Sequence, residues 1–218
     1  MTQVAHPDFN VPVSYETAVL PDSPDAQVSS TIDLMRMYAQ RDSGDPVFIE
    51  SLRSFQQLNM IQDPCETAYR FAKSMMRFQR DEQTGYGFAD DVIEVLIRPA
   101  DVVRLATPDN RVPGDCDCFS MTVAAALLAM EVPCCFATVA ASPSDPNIFS
   151  HVYVVAWPDD PEMRCPIDAS HGPYCGWEVP NGTRYLEWPL HGGGFPVMCA
   201  LGIAIASLGL LYLAGGIR

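Results

Sequence analysis

The sequence has 218 residues, which is enough to bury one sizeable core but cramped for two full domains. Its 27 acidic and 13 basic residues give a formal net charge of −14. A surface of that sign repels phosphate backbones, so nucleic acid is excluded as an expected ligand.

The chain before residue 113 predicts an extended arm followed by three helices. Residues 1–28 are rich in Pro, Asp and Ser and have no sustained period, which indicates the arm. Apolar residues at helical spacing predict a helix over 29–40. The Asp-Pro pairs at 45–46 and 63–64 are start signals for two more helices, over 46–59 and 64–81.

The chain after the central motif has the character of strands. Apolar and β-branched residues dominate 134–142, 150–157 and 163–170, and turns rich in Pro, Asp and Ser separate them. Because helices come first and strands follow, the sequence predicts an α+β fold with an antiparallel sheet.

The motif PGDCDCFS, residues 113–120, predicts the start of a buried helix. Gly114 breaks the chain, Asp115 is a typical N-cap, and the residues from Cys116 onward are mostly apolar. Cys116 then lies in the first helical turn, where the positive end of the helix dipole favours a thiolate. Cys118 should face the other side of the helix, so the two thiols do not share a partner.

Two residues in the later strands complete a set for nucleophilic catalysis. His151 lies in one predicted strand and Asp168 in the next, and adjacent antiparallel strands bring such positions together. A nucleophilic thiol needs a base and a group that fixes the imidazole tautomer, so Cys116, His151 and Asp168 are the candidate triad. His171 is a rival base. Taken singly, a buried cysteine or a strand histidine is more often structural.

As an ordered set, these segments resemble the transglutaminase-like branch of the papain-like cysteine enzymes. The resemblance covers 91–170 and rests on GDCDCFSMTVAAALLAMEVPCCFATV, SHVYVVAW and CPIDAS. It implies the family nucleophile at Cys116, the base at His151 and the orienting carboxylate at Asp168. Two residues depart from the family pattern, Cys118 in place of Asp and Val132 in place of a turn glycine. The segment 80–118 is similar to that of phage-encoded members.

The cysteines raise two alternatives to a catalytic thiol. The N-terminal sequence has neither the basic start nor the apolar stretch of a signal peptide, so reduced thiols in a cytosolic setting are expected, most of them buried. No C-x-x-C pair is present, and the spacing fits structural zinc poorly, so no metal and no cofactor are expected. A disulfide between some of them is left open. The cysteines are Cys65, Cys116, Cys118, Cys134, Cys135, Cys165, Cys175 and Cys199.

The C-terminal segment 195–217 has 23 residues without a charge, which predicts a membrane-anchor helix. Gly202 and Ala206 would let two such helices approach closely. A helix buried in the domain or in an oligomer is the alternative. The expected organisation is the arm at 1–28, a transglutaminase-like domain at 29–190 and the anchor at 195–217.

Two functions of different classes follow from these features. The first is a thiol-dependent acyl-transfer enzyme, a peptide or amide hydrolase or a transglutaminase-like enzyme, that acts on a protein or peptide and is tethered to a membrane by its C-terminus. The second is a non-catalytic membrane-associated structural or assembly protein that keeps the fold. Virion proteins and further copies of the chain are the expected partners in a virus particle.

Overall fold

The computed structural model describes residues 2–5, 12–15, 21, 23–80, 95–180 and 182–190. The predicted membrane anchor at 195–217 lies outside these residues, as does Cys199. Within the described part of the chain, no helix combines the length and the apolar character needed to cross a membrane.

Most of the described helices begin at a proline, and the prolines mark their starts in the sequence. Proline fits the first helical position because its missing N–H would have no partner there. Asp45 and Asp63 cap the second and third helices through their carboxylates. The helices are α1 Pro24–Asp42, α2 Pro46–Asn59, α3 Pro64–Met75, α4 Pro99–Leu105 and α5 Cys116–Ala129.

The observed helices differ from the predicted ones in two bounds and in one additional helix. Helix α1 begins at Pro24 rather than at residue 29, because Ser23 accepts a hydrogen bond from the Ala26 N–H (3.3 Å) and provides an earlier cap. Helix α3 ends at Met75 rather than 81, because the chain continues as a short strand. Helix α4 was not predicted, since its seven residues are too few to show a period.

Eight strands are described, and four of them form an antiparallel sheet in the order β7-β6-β5-β8. The predicted strands are confirmed with shorter bounds, and β8 is an addition. Two pairs stand apart: β1 with β2, antiparallel within residues 1–28, and β3 with β4, parallel. The strands are β1 Thr2–Ala5, β2 Pro12–Tyr15, β3 Met76–Phe78, β4 Val112–Gly114, β5 Cys134–Val139, β6 His151–Ala156, β7 Cys165–Ile167 and β8 Tyr185–Pro189. The mixed α+β fold is therefore confirmed.

Helix α5 is the centre of the core. Every residue from Cys118 to Leu127 is buried, and the helix packs against α1, α3 and β6. Strands β5 and β6 are buried along their whole length. Their residues on one face join the core around α5, and those on the other face form a smaller apolar cluster with Ala141 and Val179. A helix that is apolar nearly all round needs such enclosure, because any exposed side would leave apolar surface in water.

A buried carboxylate joins the end of α1 to the start of α4. Asp42 is 1 % exposed and accepts hydrogen bonds from Arg98 Nη2 (2.6 Å) and from the Ala100 N–H (3.1 Å). Arg41 Nε also donates to it, at 3.2 Å. The contacts fix α4 against α1 near the segment that leads into α5.

Candidate active site

The first turn of α5 places Cys116 at the junction between the helix and the sheet. Asp115 is the N-cap, and its carboxylate accepts from the N–H groups of Asp117 (3.2 Å) and Cys118 (3.5 Å). These bonds satisfy two of the N–H groups that have no partner inside the helix. Cys116 is thereby held as the first helical residue, as the sequence predicts.

The Cys116 sulfur lies close to the strand that carries His151. The Val152 N–H, in the residue after His151, lowers the pKa of this thiol, whereas the thiol itself donates to Asp117 Oδ1 at 3.5 Å. One turn further along α5, the Ser120 hydroxyl donates to the Val152 carbonyl oxygen at 3.1 Å. The Ser120 bond therefore fixes the first turns of α5 against β6 next to His151. Among the described residues, the Cys116 sulfur makes no hydrogen bond to His151 itself.

The second thiol of the motif faces away from this junction. Cys118 is fully buried, and its sulfur accepts from the Ile97 N–H and donates to the Val95 carbonyl, both at 3.2 Å. The two thiols thus have different partners, as the helical spacing predicts.

The Cys116 thiol is harder to ionise than its place at a helix start suggests. Burial raises its pKa well above the usual value, and the carboxylates of Asp117 and Asp115 raise it further. The Val152 N–H acts in the opposite direction but does not prevail. From the sequence, the helix N-terminus favours a thiolate and an acidic neighbour such as Asp117 opposes it. In the folded protein the pKa of Cys116 is raised, chiefly by burial and then by Asp117 and Asp115.

His151 and Asp168 form a buried pair. His151 Nε2 lies 2.7 Å from Asp168 Oδ2, and the two residues are 9 % and 1 % exposed. Strands β6 and β7 are antiparallel neighbours with Val154 opposite Ile167, so Asp168 leaves the end of β7 beside β6. The bond occupies Nε2, and Nδ1 is the ring nitrogen that it leaves for proton exchange.

The other oxygen of the Asp168 carboxylate is bonded to the following turn. Oδ1 accepts from the Ser170 N–H (3.0 Å), the Ser170 hydroxyl (2.7 Å) and the His171 N–H (2.9 Å). Burial alone would raise the pKa of Asp168, but the bonds and charge of His151 and these donors lower it to about 2. The carboxylate is therefore ionised at neutral pH and holds His151 in one orientation.

The rival base, His171, lies at the surface edge of the same cluster. Its ring stands edge-on to His151 with centroids 4.9 Å apart, and its Nδ1 is hydrogen-bonded to the Ser170 hydroxyl at 2.9 Å. Asp168 bonds the side chain of His151 but only the backbone of His171. His151 is thus the better oriented of the two imidazoles.

The same three residues offer a set of metal ligands. One ligand atom each from His151, Asp168 and His171 lie within 4.8 Å of one another. Two imidazoles and a carboxylate suit divalent transition metals. The absence of C-x-x-C motifs says nothing about this set, because its residues come together only through the turn after β7.

Two residues that sequence reasoning missed hold that turn against α3. The Tyr69 hydroxyl donates to the Gly172 carbonyl at 2.8 Å, and Lys73 Nζ donates to the carbonyls of Gly172 (3.2 Å) and Ala169 (3.4 Å). Tyr69 and Lys73 lie one turn apart on the same face of α3, so both side chains donate hydrogen bonds to the loop that carries Asp168. Their spacing alone does not reveal this role, since the partner is backbone a hundred residues away.

Comparisons with known proteins identify no relative of this chain. No model of a protein family matches the chain, and neither the curated proteins nor the solved structures contain a significant match to it.

Proposed function

We propose that the chain is a thiol-dependent acyl-transfer enzyme with a Cys116-His151-Asp168 triad on a transglutaminase-like fold. The observation that supports it most is the buried 2.7 Å pair of His151 and Asp168, on a strand that Ser120 joins to the first turns of the Cys116 helix. Structural histidines are often buried too. A buried imidazole oriented by an ionised carboxylate and adjoining a thiol at a helix start is the less common combination.

In the proposed mechanism, His151 removes the Cys116 proton as the sulfur attacks. Because the pKa of the thiol is raised, a resting thiolate is scarce and proton transfer to Nδ1 accompanies attack on the acyl carbon. The imidazolium that forms is stabilised by Asp168 through Nε2. His151 then returns the proton to the leaving group, and a thioester remains on Cys116.

The second half of the reaction uses the same residues. His151 accepts a proton from water or from an amine, which attacks the thioester and releases Cys116 as a thiol. Water gives a hydrolase, and an amine gives a transglutaminase-like reaction, with a protein or peptide as the acyl donor. The Cys116 N–H is the natural first donor of an oxyanion hole, since it opens the helix.

Alkylation of Cys116 by iodoacetamide tests the proposal without a known substrate. In the wild-type chain, Cys116 should be labelled faster than the fully buried thiols Cys118 and Cys134, because His151 can accept its proton. The His151→Ala variant should lower that rate about 10²-fold, which is typical of losing a general base. His171→Ala is the matched control and should change the rate little. Label position and rate are read by peptide mass spectrometry.

The contrary result would favour the non-catalytic function. The raised pKa of Cys116 is the observation on that side, because a partly buried thiol with acidic neighbours and a raised pKa is a poor nucleophile. If Cys116 reacts no faster than a buried structural thiol, and His151→Ala leaves its rate unchanged, the chain is better described as a structural or assembly protein of a membrane-associated particle.

We also propose that residues 195–217 anchor the domain to a membrane. The support is the sequence: 23 uncharged residues, enough for a helix across the hydrocarbon core. Deleting 195–218 should move the protein from the membrane pellet to the soluble fraction after cell lysis and centrifugation. The full-length Cys116→Ser chain is the control, which should stay in the pellet. An unchanged distribution of the truncated chain would contradict the anchor.

A further inference from the structure

Three cysteines outside the candidate active site come together behind the turn that carries Asp168. Cys65 lies in the first turn of α3, Cys165 begins β7, and Cys175 lies in the loop after β7. The sulfurs of Cys165 and Cys175 are 3.8 Å apart. The Cys65 thiol also interacts electrostatically with Cys165. Cys165 is therefore the shared neighbour of the other two thiols.

The backbone already brings Cys165 and Cys175 side by side. The N–H of Gly176 donates to the carbonyl of Pro166 at 2.9 Å, so the residues that follow the two cysteines are bonded to each other. A turn closed by the Trp177 N–H and the Tyr174 carbonyl (3.2 Å) presents Cys175, and Gly176 occupies a positive φ of 93° in that turn. A disulfide needs the two sulfurs about 2 Å apart, so only a short approach of sulfurs that already lie 3.8 Å apart is required.

The thiols differ in access and in acidity. Cys165 and Cys175 are partly exposed, whereas Cys65 is 2 % exposed. Hydrogen bonds from Cys175 and Cys65 lower the pKa of Cys165, and the charge of Arg164 lowers it further. The pKa values of Cys65 and Cys175 are raised by their bonds to the same sulfur. Cys165 is thus the most acidic thiol of the group, which favours it as the sulfur that attacks an oxidant.

We propose that Cys165 and Cys175 form a reversible disulfide that closes the loop carrying Asp168 and His171. The oxidant is a small-molecule disulfide such as oxidised glutathione. The Cys165 thiolate attacks one of its sulfurs, forms a mixed disulfide and releases one glutathione thiolate. Cys175 then attacks the Cys165 sulfur, loses its proton and releases the second. Two protein thiols are oxidised, one glutathione disulfide is reduced, and two glutathione thiols are formed.

The arrangement favours this exchange over a metal site. Among the described residues, one group of three ligating side chains has its ligand atoms within 4.8 Å of one another, and it consists of His151, Asp168 and His171. The three cysteines do not meet that limit. The three sulfurs therefore do not form a compact tripod for a cation. A central sulfur with a neighbour on each side suits thiol–disulfide exchange, in which one sulfur passes between two partners.

The test uses the full-length Cys116→Ser chain, so that the proposed nucleophile does not consume the oxidant. After equilibration with oxidised glutathione and acid quenching, the chain should lose two hydrogens in intact mass. Chymotrypsin cuts after Tyr174 and separates the two cysteines, so a disulfide appears as a joined peptide pair that reduction splits. The oxidised chain should also melt at a higher temperature than the reduced one, because the loop is closed in the unfolded state.

Two variants keep the test specific. Cys175→Ser should abolish the 165–175 link and leave Cys165 joined to glutathione or to Cys65. Cys134→Ala removes a fully buried thiol in β5 and should leave the link intact. The proposal is overturned if Cys165 and Cys175 stay free thiols after equilibration with oxidised glutathione, while other accessible cysteines of the chain form mixed disulfides with it. It is equally overturned if the reduced chain binds one equivalent of Zn²⁺ that Cys165→Ser, but not His171→Ala, abolishes.

Discussion

Replacing Asp168 by asparagine should lower the rate of acyl transfer by roughly 10⁴-fold. An asparagine can keep its carbonyl toward the Ser170 and His171 donors, and its NH₂ group then faces His151 Nε2. Nε2 must accept that bond, so the ring proton moves to Nδ1. A protonated Nδ1 cannot remove the Cys116 proton, so the variant loses acyl-transfer activity although its folded structure is unchanged. Hydrolysis of a p-nitrophenyl acyl ester would measure the loss.

A surface carboxylate provides the control for this substitution. Asp145→Asn changes an exposed carboxylate in the loop before β6 and should leave the rate unchanged. If Asp168→Asn hydrolyses the ester at the wild-type rate, the imidazole does not work through this carboxylate and the proposed triad is wrong.

The same substitution has a pH-dependent effect on stability that checks the folded geometry. The folded pKa of about 2 lies below the ordinary 3.8, so the stabilisation by the ionised carboxylate is complete above pH 3.8 and is lost as the pH falls through 2. The shift corresponds to about 2 kcal/mol. The difference in free energy of unfolding between wild type and variant, from urea titrations, should therefore shrink between pH 3.8 and about pH 2.

The second large effect is on stability, at the carboxylate that joins α1 to α4. Asp42→Ala should lower the free energy of unfolding by about 3 kcal/mol, because it removes the partner of a charged Arg98 and leaves the buried Ala100 N–H without its acceptor. Arg98 keeps about a third of its side-chain surface in water, which holds the cost at the lower end of the range for buried pairs. Denaturant unfolding measures the change.

Two substitutions separate the bond from the charge. Asp33→Ala removes an exposed carboxylate that pairs with Arg36 on the same helix, and it should cost under about 1 kcal/mol. Asp42→Asn keeps one acceptor oxygen, so its free energy of unfolding should lie between those of the two alanine variants. Equal stability of Asp42→Ala and Asp33→Ala would show that the buried network contributes little.

The raised pKa of Cys116 and the low pKa of Asp168 give these two residues different protonation states in the proposed triad. Asp168 is ionised throughout the neutral range, so the orientation of His151 does not depend on pH there. Cys116 is protonated over the same range, so its reactivity depends on the proton that His151 accepts. The proposed enzyme therefore works by base-assisted attack rather than from a preformed thiolate.

Local sequence rules determined much of the architecture. Pro and Asp or Ser pairs mark the starts of α1, α2 and α3, because a capping oxygen and a fixed φ act within a few residues. The run of apolar residues after Cys116 determined a helix that must be enclosed, and the strand runs determined the neighbours β5, β6 and β7. The candidate triad came from the order of these segments together with a family resemblance.

Tertiary structure alone decided the chemical state of those residues. Burial is the largest cause of the raised pKa of Cys116, and it depends on what packs over the thiol, whereas the contribution of the flanking Asp115 and Asp117 is visible in the sequence. The joining of Cys65, Cys165 and Cys175 and the burial of Asp42 likewise depend on partners distant in sequence. Sequence patterns identify helices and strands because capping and the periodicity of apolar side chains act between residues close in sequence. The pKa of a side chain and the partner that it contacts depend on distances in space, which the spacing of residues along the chain does not give.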